Sequence, residues 1–106
     1  MPKYLVRASY TSEGAKGIAK SGGTSRSEIV GKLIQNSGGT TESFYFAFGD
    51  ADAYVTCDLP DNVTAASVAL AVNSNGAVTT STVVLMTPEE ADEATRKTVD
   101  YRPPGK

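Results

Sequence analysis

The stretch "FYFAFGDADAYVTCDLPD", Phe44 to Asp61, restricts the possible folds more than any other part of the chain. Phe44, Phe46 and Phe48 occupy alternate positions, and after an acidic break Ala53, Val55, Cys57 and Leu59 do the same. A period of two places alternate side chains on opposite faces of a strand, and Gly and Asp between two such runs read as a turn. The segment is therefore expected to be a β-hairpin. Pairing Phe48 with Ala53 across the turn would set Phe46 opposite Val55 and Phe44 opposite Cys57, because cross-strand partners advance together. That face is wholly apolar and demands a cover. The other face carries Tyr45, Ala47, Tyr54, Thr56 and Asp58, too apolar for bare solvent and too polar for a core.

The remaining segments supply the cover. Lys3–Tyr10 is strand-like, with Leu5, Arg7 and Ser9 on the parity expected to share the mixed face. Residues 11–23 carry a helix signature, with Thr11 or Ser12 as cap and Ala15, Ile18 and Ala19 on one stripe, weakened by Gly14 and Gly17. Ser25 three residues before Glu28 predicts a capping box opening a second helix, whose apolar stripe is Ile29, Val30, Leu33 and Ile34. Gly38-Gly39 should end it. Asp61 predicts the cap of a third helix, with Val63, Ala66, Ala69, Leu70 and Asn73 at helical spacing. "AVTTSTVVLM" is β-branched and reads as a strand. Thr87, Pro88 and Glu90 open a final helix with a second capping box.

The order is strand, helix, strand, strand, helix, strand, followed by an extra C-terminal helix. This split βαβ pattern predicts an α+β, ferredoxin-like domain over residues 1–97. Its sheet would be four-stranded and antiparallel in the order 4-1-3-2, with helices on one face. Residues 98–106, with Pro103-Pro104, are expected to form a loose tail.

Composition narrows the chemistry. The chain of 106 residues contains no His and a single Cys57. The usual general base, the Ser-His and Cys-His pairs and His-ligated metals are thereby removed. Cys57, inside an apolar alternation, reads as a buried, inert thiol. Ten basic residues against twelve acidic ones show no clustered basic footprint of the kind nucleic acids require. No apolar run approaches a membrane span, and the opening residues lack a signal-peptide core, so a cytoplasmic location is expected. No cofactor fingerprint is present.

The hairpin "FYFAFGDADAYVTCDLPD", the opening "PKYLVRASYTSEGAKGI" and the closing "AVTTSTVVLMTPEEAD" together resemble the GYD-domain family of small bacterial proteins. Its signature is an aromatic strand, a Gly-acid-Tyr-Asp turn, an apolar strand and a Pro-Asp helix start. One position departs: the turn reads Gly49-Asp50-Ala51-Asp52, with Ala51 where the family has Tyr. Gly49 and Asp52 are then expected to serve turn geometry. The resemblance implies kinship with the dimeric α/β-barrel group, ferredoxin-like domains that pair sheet to sheet around a cavity. That group includes cofactor-free monooxygenases, isomerases, haem enzymes and amino-acid-sensing modules.

Three candidate sites follow. Asp50 and Asp52 could hold a cation, but hard cations take six or more oxygens and turn chemistry explains both residues. "SGGTSR" sets glycines before a helix start, which suits an anion or a helix-helix joint equally. The mixed sheet face, with Leu5, Arg7, Ser9, Tyr45, Tyr54, Thr56 and Asp58 and a possible Arg7–Asp58 charge relation, is the stronger candidate. It would be a homodimer interface or a cavity for a small carboxylate or aromatic ligand. The expected function is a non-catalytic small-molecule-binding or interaction module acting as a homodimer. The alternative is a cofactor-independent enzyme using Asp58 as base and Arg7 or Tyr54 to stabilise negative charge.

Overall fold

The computed structural model describes the whole chain, residues 1–106. Its elements are β1 (Lys3–Tyr10), α1 (Ser12–Ser21), α2 (Gly23–Asn36), β2 (Thr40–Phe46), β3 (Ala53–Asp58), α3 (Asn62–Asn73), β4 (Val78–Leu85) and α4 (Pro88–Arg96). The strands form one antiparallel sheet in the order β2-β3-β1-β4, the expected order read from the other edge. The fold is α+β and ferredoxin-like. No helix is long and apolar enough to cross a membrane.

Most caps arise where the sequence places them. The Thr11 hydroxyl accepts the Gly14 N–H, and the Asp61 carboxylate accepts the Thr64 N–H at 2.8 Å. Thr87 and Glu90 exchange both bonds of a capping box at the start of α4. The second helix differs. It begins at Gly23 with Gly22 as N-cap and no side-chain cap, so Ser25 and Glu28 lie within the helix and form no capping box. The cause is Gly22, whose φ of +88° lets the chain end α1 and re-enter a helix at once. The "SGG" stretch is thus a helix-helix joint. Gly14 answers a different need: a Cβ there would collide with the Ala77 carbonyl oxygen.

The hairpin keeps its faces but not its register. Phe46, rather than Phe48, lies opposite Ala53, and Phe44 lies opposite Val55. A slip of two residues preserves side-chain parity, so hydrophobic patterning cannot detect it. Longer-range bonds select the observed register. The Asp52 N–H donates to the Ala8 carbonyl, the Asp52 carboxylate accepts the Tyr10 N–H at 2.8 Å, and the Ala47 N–H closes the loop on Asp52. Phe48 is consequently carried past the sheet end and is fully exposed, against its expected core position. A bulge at Glu42 makes a second irregularity, with Thr41 opposite Cys57 but Ser43 opposite Thr56.

The core lies between the sheet and helices α2 and α3. Tyr4, Ile34, Val55, Cys57, Leu59 and Ala65 form its main cluster, and Ala8, Ala53 and Val78 a second one. On α3 the stripe turns away from the expected one. Ala65, Val68, Ala69 and Val72 face inward, while Val63 and Leu70 are exposed. The helix is apolar nearly all round, so its sequence does not select a face. Asn73 pins the orientation by bonding both the N–H and the hydroxyl of Thr80.

No residue of α4 is buried, and residues 97–106 form no helix or strand and are all exposed. The overall extents of 57 × 33 × 23 Å and radius of gyration of 16.9 Å reflect this projecting end. A compact chain of this length would have a radius near ~13 Å.

Candidate functional site

The open face of the sheet is built by strand parity. Arg7 on β1 lies opposite Tyr54 on β3 and Ser81 on β4, and Leu5 lies opposite Thr56 and Val83. Tyr45 on β2 extends the row beside Tyr54, and Ser9 lies opposite Thr79. No helix crosses these residues, and Tyr45 is 71% exposed. The expected cluster of Leu5, Arg7, Ser9, Tyr45, Tyr54 and Thr56 therefore shares one surface.

Asp58 shares that surface but stands at its end. The expected Arg7–Asp58 relation is not formed. Asp58 lies opposite Lys3, and Lys3 Nζ donates to Asp58 Oδ1 at 3.0 Å and to Glu42 Oε2 at 2.8 Å. Arg7 lies four positions further along β1, roughly 13 Å away at the usual strand rise, and its Nε donates to Ser81 Oγ at 3.2 Å. The hydrogen bond to Glu42, reinforced by that to Asp58, holds the Lys3 ammonium above its ordinary pKa. Around Glu42 the Thr56 hydroxyl bonds both Ser43 and the Glu42 carboxylate. The face thus has an acidic end, two carboxylates sharing one cation, and a lone guanidinium facing a neutral hydroxyl. A base at Asp58 and a charge-stabilising Arg7 do not meet on one reacting atom.

Lys3, Glu42, Ser81 and Val83 belong to this face and were not among the expected residues. Lys3 has the parity of Leu5 and Arg7, so alternation alone could have found it. Glu42 arrives through the bulge, and the β4 residues through a register visible only in the folded sheet.

The turn depends on one of the two residues expected to shape it. Asp52 does anchor it, by the bond to the Tyr10 N–H. Gly49 does not have a positive φ, and a Cβ added to it would meet nothing within 4 Å, so turn geometry does not require glycine there. Ala51, at the departing position, is buried. No three His, Cys, Asp or Glu side chains converge to hold a metal ion. Cys57 is buried, and burial pushes its thiol pKa up, away from the reactive thiolate.

An antiparallel sheet with helices on one face and a mixed aromatic-polar surface on the other defines the class, a ferredoxin-like α+β domain. The chain belongs to the GYD domain family, whose model matches residues 4–95. No curated protein and no solved structure matches it.

Proposed function

We propose that the protein is a non-catalytic module that acts as a homodimer through the open sheet face. The observation that carries this reading is the uncovered row of Leu5, Tyr45, Tyr54 and Val83 around Arg7. Contiguous apolar surface of this kind is uncommon on soluble monomers. Charge supports a second copy as the cover. The acidic end has one cation for two carboxylates, whereas Arg7 has no carboxylate partner, and a two-fold axis between them would bring each Arg7 toward the partner's acidic end. The helix α4 favours assembly as well, because nine exposed residues are too few to hold a helix in isolation. Space enclosed between two such sheets would offer Arg7 and the Tyr45 and Tyr54 rings to a small carboxylate or aromatic ligand, the arrangement of a dimeric α/β barrel. Sedimentation velocity at micromolar concentration tests the reading. A dimer is expected for the wild type and a monomer for Leu5→Lys, which adds a third cation between Lys3 and Arg7. A wild-type monomer, or a Leu5→Lys dimer of unchanged strength, overturns it.

A further inference from the structure

The covered side of the sheet is incompletely filled. A cavity of about 70 Å³ lies between the sheet and helices α2 and α3, and almost all of its lining is apolar. Its origin is in the residue sizes. Ala8 and Ala53 on the sheet and Ala65 and Ala69 on α3 all line it, and methyl groups leave unfilled the space that larger side chains would occupy. By the same measure a water needs roughly 10–15 Å³ and benzene enters a void of about 150 Å³. The cavity is too apolar to order water and large enough for a few carbons.

One charged side chain reaches this lining. Arg26 borders the cavity and also two neighbouring surface hollows beside α1, α2 and α3. Its Nε is shielded from solvent and has no hydrogen-bond partner. A buried donor on a charged group is costly to leave unpaired. Nothing in the chain answers it. Glu13 borders the same hollows, yet the ion pairs of the chain are those of Lys3 alone.

We infer that this cavity is a binding site for a small aliphatic carboxylate. The alkyl body occupies the space between the four alanines, and the carboxylate takes Arg26 side-on, accepting from Nε–H and one Nη–H. Nε has neither solvent contact nor a protein acceptor, Arg26 is the one charged residue lining the cavity, and a carboxylate matches two parallel N–H groups. Comparison with the benzene void limits the buried body to roughly three or four carbons. The site is on the opposite side of the sheet from the proposed dimer face and does not depend on it.

The test titrates the full chain with isovalerate and with its uncharged counterpart isovaleramide, following methyl resonances by ¹³C NMR. Isovalerate is expected to shift the methyls of Ala8, Ala69 and Val72 saturably, and isovaleramide to bind at least ~10-fold more weakly, the usual scale for a charge-assisted pair. Arg26→Gln should cost isovalerate at least ~10-fold in affinity and leave the amide nearly unchanged. Ala69→Val, which narrows the void, should weaken both compounds while the fold, read from the remaining methyl spectrum, persists. Absence of saturable shifts at the cavity methyls overturns the inference, as does equal binding of acid and amide or indifference to Arg26→Gln.

Discussion

On one side of the sheet Tyr4, Val55 and Cys57 are buried beneath helices, while on the other Leu5, Tyr54 and Thr56, their immediate neighbours in the chain, stay partly in water. The same strands build both surfaces, so the contrast isolates what a cover contributes. Beneath the helices nearly every group is apolar, and the polar exceptions have specific partners. Tyr4 donates to Asn62 Oδ1 at 2.6 Å, and burial raises its phenol pKa. Arg26 and Thr41 differ, with no partner for the Arg26 Nε or the Thr41 hydroxyl. On the open side the polar groups pair laterally along the sheet, and the rings of Tyr45 and Tyr54 remain without a cover. Burial stabilises the first surface internally, and no element of the chain covers the second.

The contrast is sharpest at Leu59, a fully covered side chain of the main cluster. Leu59→Ala should lower unfolding free energy by about 3 kcal/mol, within the usual range for a buried leucine, as measured by urea denaturation. If the loss were no larger than at an exposed position, the helix-side core would be far looser than its geometry indicates. On the open face Leu5→Lys should weaken self-association by at least ~10-fold, or about 1.4 kcal/mol, while denaturation of the monomer changes less than in Leu59→Ala. Equal effects of the two substitutions on folding would erase the distinction between the faces.

The aromatic strand offers a finer comparison. Phe46 is 42% exposed but sits against Gly23 and 5.1 Å from the Phe44 ring, centroid to centroid, whereas Phe48 is fully exposed. Phe46→Ala should cost about 1 kcal/mol, comparable to a single aromatic pair, and Phe48→Ala less than ~0.5 kcal/mol, as for other free surface positions. Thermal unfolding of the two variants decides between the observed register and the one in which Phe48 pairs with Ala53.

The smallest effect concerns the cap of α3. Hydrogen bonds from Thr64 hold the Asp61 carboxyl below its ordinary pKa. A depressed folded-state pKa contributes stability above the unfolded carboxylate value, and that stability is lost as pH falls through the folded value. Asp61→Asn keeps a capping oxygen but does not titrate. The stability difference between wild type and variant should therefore shrink as pH falls below about 4, the ordinary carboxylate range. A difference independent of pH would show that the ionised carboxylate contributes nothing to the cap.

Much of this architecture was legible before folding, and the reasons are local. The alternation of residues 44–59 separates Tyr54, Thr56 and Asp58 from Val55, Cys57 and Leu59 without reference to any other segment. Thr11, Asp61 and Thr87 announce their helices because each cap bonds within three residues of itself. What proved illegible depends on distant partners. The hairpin slipped by two positions because Asp52 bonds to Tyr10, forty-two residues away, and either register satisfies the same alternation. Asp58 took Lys3 rather than Arg7 because the β1–β3 register, not charge type, chose its neighbour.

The amino-acid order by itself determined the elements, their sequence along the chain and the two-sidedness of the sheet, since period, propensity and capping act between residues a few positions apart. Only the tertiary structure decided which face of the apolar α3 turned inward, which charges met and where alanines from the sheet and α3 came to line a cavity bordered by Arg26. Those outcomes depend on side-chain volumes and hydrogen bonds brought together from separate elements, and no local pattern carries that information.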